Sequence, residues 1–272
     1  MQQVWINGVQ VTSIPVTDRG LAYGDGLFET ICVADGQMPL LERHLSRLSL
    51  GLRRLKFPAD TLNAVKADIA ALSLQGDLTL KLMVTRGSGA RGYALPEPTE
   101  TSRIIIISPR QAVLSPQQKN GIKSRFCDYQ MAINPQLAGI KHLNRLEQVI
   151  ARSEWQDTTI NEGVLLDSDG FLVEGTMSNL FWVTTDGKVQ TPALERCGVA
   201  GVMRGYLLDT LTALGIATEQ GLYRREALLS ATEIFFCNSL IHLWPVRELE
   251  GRAFAPGKVC RLLQQRIKQD LF

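Results

Sequence analysis

Lys141 is the lysine of this chain whose surroundings best suit covalent chemistry. It stands in the segment Leu137–Leu143, which reads Leu-Ala-Gly-Ile-Lys-His-Leu, where the chain enters a predicted helix. Burial disfavours the charged form of an amine, so a lysine in apolar surroundings becomes nucleophilic near neutral pH and can bond covalently to a carbonyl group. Lys81, also among leucines, is a second candidate, which strand alternation places with Thr79 and Met83 on the opposite face. A lysine with a buried stem and a solvated amine is the alternative for both.

Other residues could bind a ring nitrogen or a phosphate group. Glu174 ends a predicted strand before Gly175, where an acid can meet a pyridine nitrogen or simply belong to a turn. A predicted helix begins after Gly201, and the first backbone N–H groups of a helix are available to a phosphate. Arg47, on an earlier predicted helix, is a candidate cationic partner, unless it faces solvent.

The stretch Gly87–Gly92 matches the glycine pattern of dinucleotide-binding loops but lacks their context. Pro96 and Pro98 follow it and prevent the helix on whose N-terminus a pyrophosphate sits. The sequence therefore predicts a flexible loop that presents Arg91 and Tyr93 to a ligand, or a plain surface turn.

Composition and charge exclude several classes of protein. The 272 residues are 45% hydrophobic and 21% charged, which is typical of a globular chain, and the net charge of +2 is too small for a nucleic-acid-binding surface. The longest aliphatic run is far below the ~20 residues of a membrane helix, and no signal peptide is visible. Three scattered histidines and five cysteines without a C-x-x-C pair predict no metal site. We expect a cytoplasmic protein that acts on a small molecule.

Helices and strands are predicted in both halves of the chain. Periodicity predicts a helix over residues 42–56 and strands over 78–84 and 103–108, and Asn7-Gly8 predicts an N-terminal hairpin with arms Val4–Ile6 and Val9–Val11. Further helices are predicted after Pro58 and at Asn144–Trp155, Val202–Leu214 and Gly257–Leu271, and strands at Ile122–Cys127, Gly163–Asp167, Phe171–Glu174 and Leu180–Val183. The mixture lacks strict alternation and predicts an α+β fold. We expect a smaller N-terminal α/β domain of residues 1–110, a polar linker at 111–120, and a larger C-terminal domain of residues 121–272.

Four motifs in order resemble the fold-type IV pyridoxal-phosphate enzymes, which include branched-chain and D-amino-acid transaminases and aminodeoxychorismate lyase. These motifs are Asp18–Thr30, His44–Leu48, Ala138–Gln148 and Glu174–Phe181. The resemblance implies a two-domain fold like that of D-amino-acid aminotransferase, pyridoxal 5'-phosphate as cofactor, and a homodimer.

The resemblance also implies roles for individual residues. Lys141 would hold the cofactor covalently and move the substrate proton, while Glu174 would keep the pyridine nitrogen protonated. The implied phosphate-binding set is Arg47, the amides of Val202 and Met203, and Ser239, with Asn179 nearby. Ser239 stands in Cys-Asn-Ser, which departs from the Gly-Thr of many transaminases.

Two segments, Thr85–Tyr93 and Ala138–Gln148, resemble the lyase members of the family in particular. They imply conversion of 4-amino-4-deoxychorismate to 4-aminobenzoate and pyruvate, a step of folate biosynthesis. Arg91 and Tyr93 would then engage a substrate carboxylate, and Thr30 would be a catalytic proton relay. The Phe-Glu pair at Glu29 fits lyases and transaminases alike. Transamination of a D- or branched-chain amino acid, and binding of the cofactor without catalysis, are the alternatives.

Overall fold

The computed structural model describes residues 2–110, 116–255 and 257–272, and the chain divides into two compact units. Unit 1 comprises Met1–Ala112 and Ile140–Asn144, and unit 2 comprises Val113–Gly139 and Arg145–Phe272. Lys141 therefore belongs to unit 1, although the flanking chain belongs to unit 2. Of the predicted linker, residues 111–115 lie outside the described residues, and Pro116–Asn120 is a short helix.

Unit 1 is built on an antiparallel four-stranded sheet. Its elements are β1 (Gln3–Ile6), α1 (Arg19–Tyr23), β2 (Gly26–Val33), α2 (Leu41–Arg54), α3 (Thr61–Ala70), β3 (Leu78–Thr85) and β4 (Ser102–Pro109). The strand order is β1-β4-β3-β2, which leaves β2 at one edge. The helix predicted over residues 42–56 and the two predicted strands are confirmed as α2, β3 and β4.

The predicted N-terminal hairpin is wrong in its second arm. The turn forms, with Asn7 and Gly8 both at positive φ (51° and 78°), but Val9 makes only a single bridge to Ile6. β1 pairs instead with β4, along the run Ile104–Ile107. The isoleucine run offers β1 a continuous ladder and apolar partners, whereas Val9 is exposed and gains nothing from extending the hairpin.

Unit 2 contains a larger mixed sheet. Its elements are α4 (Pro116–Asn120), β5 (Ile122–Met131), α5 (Leu146–Arg152), β6 (Ile160–Asp167), β7 (Leu172–Gly175), β8 (Asn179–Val183), β9 (Val189–Pro192), α6 (Val202–Ala213), β10 (Thr218–Gly221), α7 (Arg225–Leu229), β11 (Glu233–Asn238), β12 (His242–Leu249), β13 (Arg252–Ala253) and α8 (Lys258–Leu271). The strand order is β10-β9-β8-β11-β12-β5-β6-β7, with β13 paired to β12. Its main apolar cluster includes Phe126, Trp182 and Phe236.

The prediction of an α+β fold is confirmed. Within the described ranges, no helix combines the length and apolarity needed to cross a membrane.

The edge of β2 is occupied by Ile140–Asn144. The Phe28 N–H donates to the Lys141 carbonyl at 2.9 Å, and the Leu143 N–H donates to the Gly26 carbonyl at 3.0 Å. Leu27 and His142 form an antiparallel bridge between these two bonds. Backbone pairing thus fixes Lys141 beside Phe28, near the start of β2, because the open edge of a strand carries unpaired N–H and C=O groups that can bind it.

The helix α2 packs closely on β2 at a glycine. A Cβ added at Gly51 would lie 2.8 Å from both terminal carbons of Leu27, which is fully buried. The missing side chain lets the helix backbone approach the strand, and this approach positions the inward face of α2 over β2.

Candidate active site

Lys141 lies over an aromatic ring of unit 1. Its Nζ is 4.3 Å from the ring centroid of Phe28, and the residue is half-buried. Lys81, the second candidate, reaches the same ring from β3 at 5.7 Å but is exposed. An ammonium over a ring face is stabilised by the ring quadrupole, and Lys141 is both closer to the ring and less exposed than Lys81.

Thr30 lies on the same face of β2 as Phe28. Leu27, Glu29 and Ile31 point to the buried face of the sheet, whereas Phe28 and Thr30 alternate with them and are half-buried. Because side chains two residues apart in a strand share a face, the structure brings Thr30 to the side of β2 on which Lys141 lies.

A buried ionic cluster forms on the other face of β2, where α2 packs. The Glu29 carboxylate accepts hydrogen bonds from Arg47 Nε at 2.8 Å, from Arg47 Nη2, and from His44 Nδ1 at 2.6 Å. Burial alone would raise the pKa of Glu29, but the charge of Arg47 and the hydrogen bonds of both partners outweigh it and lower this pKa to about 2. Burial lowers the pKa of His44, so His44 is neutral at neutral pH and its Nδ1–H donates. Arg47, the predicted phosphate ligand, is thus held in place by Glu29.

In unit 2, Glu174 is a buried carboxylate at the penultimate position of β7. Its Oε2 accepts a hydrogen bond from the Val199 N–H at 2.9 Å and one from Asn179 Nδ2 at 3.4 Å. Asn179 Nδ2 also donates to the Val199 carbonyl at 2.9 Å. Two predicted site residues, Glu174 and Asn179, are thereby brought together with the segment that leads into α6.

The start of α6 is shaped by Gly201. A Cβ at this position would lie 1.8 Å from Asn179 Oδ1, so no side chain is compatible with the observed approach. Gly201 is the N-cap residue and forms no side-chain cap, so no side chain of its own covers the first N–H groups of the helix, those of Val202 and Met203. A buried acid for a ring nitrogen and an uncapped helix start for a phosphate fit pyridoxal phosphate chemically.

Ser239, the least conventional predicted ligand, lies in the loop between β11 and β12. Asn238 organises this loop, because its Oδ1 accepts hydrogen bonds from the N–H groups of Leu240 and Ile241 at 2.8 and 2.9 Å. The Asn238 Nδ2 donates to the Met177 carbonyl at 3.0 Å, which ties the Ser239 loop to the turn between β7 and β8.

Glu162 is a site residue that the sequence did not reveal. It is fully buried on β6 and accepts hydrogen bonds from the Thr176 N–H at 2.9 Å and the Ser178 hydroxyl at 2.6 Å. Burial raises its pKa, against the effect of these donors. The carboxylate thus fixes the turn that joins Glu174 to Asn179. Its only sequence signal is an acid shortly before the apolar run Val164–Leu166.

The predicted site residues therefore fall into two groups. Unit 1 carries Lys141, Thr30, Arg47, Arg91 and Tyr93, and unit 2 carries Glu174, Asn179, Val202, Met203 and Ser239. Arg91 and Tyr93 lie in the loop between β3 and β4, where Tyr93 is 85% exposed, so both are accessible to a ligand.

The ionic cluster at Glu29 predicts a specific dependence of stability on pH. The pKa of Glu29 is about 2 in the folded chain against 4.5 as the ordinary value, so its stabilisation is present above pH 4.5 and is lost as the pH falls towards 2. In Glu29→Gln, which lacks this titration, the deficit in the free energy of unfolding should shrink by roughly 2 kcal/mol between about pH 6 and pH 3. Urea unfolding at several pH values measures this deficit.

Glu42→Gln is the matched control, since Glu42 is an exposed carboxylate on the same helix. Its unfolding free energy should follow that of the wild type across the pH range, because exposed charges contribute little. A deficit of Glu29→Gln that stays constant with pH would contradict the assignment.

Comparison with known proteins gives the family. Residues 26–249 match the family described as amino-transferase class IV. Aminodeoxychorismate lyase of Vibrio harveyi is 35% identical over 266 residues, which cover 96% of this chain and 97% of that protein. The crystal structure of 4-amino-4-deoxychorismate lyase from Pseudomonas aeruginosa has a TM-score of 0.92 and 44% identity, covering 98% of this chain and 99% of that one.

A more distant structure shows how far the fold extends. A hypothetical aminotransferase from Mycobacterium tuberculosis, in its PLP-bound form, has a TM-score of 0.83 at 19% identity, covering 99% of this chain and 98% of that one. The two-domain fold predicted from the four motifs is confirmed by these likenesses. Because the family match spans most of the sequence, the chain belongs to the class IV aminotransferase family.

Proposed function

We propose that this protein is a pyridoxal-phosphate-dependent lyase that converts 4-amino-4-deoxychorismate to 4-aminobenzoate and pyruvate. The observation that carries the proposal is the likeness, over nearly the whole of both chains, to the lyases of Vibrio harveyi and Pseudomonas aeruginosa. The fixed position of Lys141 beside β2 supplies the nucleophile and base that the reaction needs. The support for the cofactor is the family match, the buried acid Glu174 and the uncapped start of α6.

The reaction removes one proton, adds another and breaks one carbon–oxygen bond. Pyridoxal phosphate, when bound, supplies a carbonyl for the substrate amine and an electron sink for the loss of the C4 proton. The Lys141 amine is the base that takes this proton, since it is held over Phe28 in its half-buried position. The enolpyruvyl ether bond then breaks, its methylene carbon gains a proton, and pyruvate leaves as the ring becomes aromatic.

The other residues orient the substrate and control charge. Glu174, which is buried, would accept a hydrogen bond from the pyridine nitrogen and favour its protonated form. The hydroxyl of Thr30, on the Phe28 face of β2, relays the second proton to the methylene carbon. The Arg91 guanidinium is a planar, two-pronged donor suited to a carboxylate, and the Tyr93 hydroxyl adds a further donor. Arg47, Asn179, Ser239 and the Val202 and Met203 amides are assigned to the phosphate.

The decisive experiment quantifies both products from 4-amino-4-deoxychorismate. We expect 4-aminobenzoate and pyruvate in equal amounts, with turnover reduced at least about a thousandfold in Lys141→Ala, because both the nucleophile and the base are lost. Lys81→Ala is the matched control, since Lys81 lies over the same ring from β3, and it should keep most of the turnover.

Two other outcomes would overturn the lyase assignment. Conversion of the bound cofactor to its amine form by an amino acid alone, without 4-aminobenzoate formation, would identify a transaminase. Protein that binds pyridoxal phosphate but processes neither kind of substrate would be a binding protein.

Thr30 is tested by removing its hydroxyl at constant shape. Thr30→Val should lower kcat by about 100-fold, the usual contribution of a positioned proton-transfer group, and leave the cofactor absorbance unchanged. Thr30→Ser, which keeps the hydroxyl, should restore most of kcat. Equal turnover in the valine variant and the wild type would remove Thr30 from the mechanism.

We also propose that the protein is a homodimer and cytoplasmic. Support for the dimer is the apolar face of α5, where Leu146, Val149 and Ile150 are exposed at helical spacing. Support for the compartment is that the five cysteines, all among the described residues, are buried and form no disulfide.

The dimer is tested by sedimentation of the holoenzyme. The wild type should sediment as twice the 30.1 kDa chain mass, and Val149→Glu should shift it towards the monomer by placing a charge in the interface. Leu222→Glu is the control, as Leu222 is an exposed apolar residue outside α5. A wild type that sediments as a monomer would refute the dimer.

A further inference from the structure

One buried arginine connects the N-terminal signature to the loop between β3 and β4. Arg19, on α1, is only 4% exposed, and its Nε donates to Asp25 Oδ2 at 2.9 Å. Its Nη1 donates to the Gly92 carbonyl at 3.0 Å, and Nη2 reaches the Tyr93 carbonyl at 3.5 Å. The guanidinium therefore holds the backbone immediately after Arg91.

Arg19 also contacts the beginning of the same loop. Its backbone N–H donates to the Gly87 carbonyl at 2.8 Å. A Cβ added at Gly89 would lie 3.1 Å from Arg19 Cδ, so the loop runs directly over the arginine stem. Both ends of the stretch from Gly87 to Tyr93 are thus fixed by one residue.

Tyr23 adds a second, weaker hold on the end of the loop. Its hydroxyl accepts a hydrogen bond from the Gly92 N–H at 3.4 Å, and its ring centroid is 5.4 Å from that of Tyr93. The Arg19 guanidinium lies 4.9 Å from the centroid of the Tyr23 ring, so the two anchoring residues support each other.

Asp25 ties this anchor to the rest of unit 1. The same Oδ2 accepts a hydrogen bond from Arg86 Nε at 2.8 Å, and Arg86 is also buried. The remaining donors of Arg86 go to the carbonyls of Leu55 and Lys56, at the end of α2, rather than to the loop. Asp25 therefore has two arginine partners, of which only Arg19 holds the loop.

We infer that Arg19 is a positioning residue that holds the loop Gly87–Tyr93 in place, so that Arg91 and Tyr93 are oriented for a substrate carboxylate. The loop is rich in glycine, which makes its ordering entropically expensive without an anchor. Orienting it before the substrate arrives removes this cost from binding. The role of Arg91 and Tyr93 in this inference rests on the proposed function, whereas the anchoring of the loop does not.

Limited trypsin digestion of the holoenzyme measures the anchoring directly, because Arg91 is itself an exposed cleavage site. Arg19→Met keeps the apolar stem, removes the donors and leaves Asp25 paired with Arg86. Cleavage after Arg91, followed by mass spectrometry of the fragment 1–91, should become about tenfold faster, since charge-assisted hydrogen bonds that close the loop are lost. Arg86→Met is the matched control, and cleavage after Arg91 should stay near the wild-type rate once global stability is equalised.

Substrate kinetics test whether this anchoring serves binding. In Arg19→Met the KM for 4-amino-4-deoxychorismate should rise about tenfold while kcat changes little, because the loop must be ordered at the expense of binding. The absorbance of the bound cofactor should stay unchanged. Tyr23→Leu, at a residue that is 37% exposed, provides a second variant in case Arg19→Met does not fold, and smaller changes in the same directions are expected.

The outcomes separate this inference from the proposed function. Unchanged cleavage after Arg91 in both Arg19→Met and Tyr23→Leu would overturn the anchoring. Faster cleavage with an unchanged KM would overturn the positioning role. Faster cleavage in a protein whose wild type has no lyase activity would support the anchoring and refute the proposed function.

Discussion

The backbone pairing of Ile140–Asn144 with the edge of β2 is the interaction on which the chemistry of unit 1 depends. Two hydrogen bonds, between Phe28 and Lys141 and between Leu143 and Gly26, fix the segment in register with the strand. A shift of one residue would turn the lysine to the opposite side, because strand side chains alternate. The Lys141 amine is thus placed over Phe28 by main-chain geometry.

Each unit also contains a buried carboxylate that organises its predicted ligands. Glu29 holds Arg47 and His44 between β2 and α2, and Glu162 holds the turn between Glu174 and Asn179. A buried charge is tolerated only when its hydrogen bonds are made, so each carboxylate selects one arrangement of its donors. For Arg47 the consequence is that its guanidinium is already oriented by Glu29, which would lower the side-chain entropy lost on binding the phosphate assigned to it under the proposed function.

The sequence predicts the elements whose signals are local and misses what depends on distant partners. The amphipathic period of α2 and the apolar run of β4 suffice to predict them, because both bury one continuous face. Two features depend on contacts between residues roughly a hundred positions apart along the chain. These are the pairing of β1 with β4 and the packing of Ile140–Asn144 within unit 1. Glu162 was missed for the same reason, since its donors Thr176 and Ser178 lie in the turn between β7 and β8 and nothing in the sequence pairs them with an acid on β6.

The N-terminal signature identifies the family without separating its activities, and its structure explains why. Asp18 accepts hydrogen bonds from the Gly20 N–H and the hydroxyls of Thr85 and Ser102, and Arg19 is shared between Asp25 and the loop backbone. These side chains serve the scaffold, because every contact named is with the protein itself. Arg19 holds the loop through hydrogen bonds to the backbone carbonyls of Gly92 and Tyr93. These carbonyl groups are present whatever side chains the loop carries. The signature can therefore hold loops of different composition, and under the proposed function discrimination between substrates would fall to the exposed side chains that the loop carries.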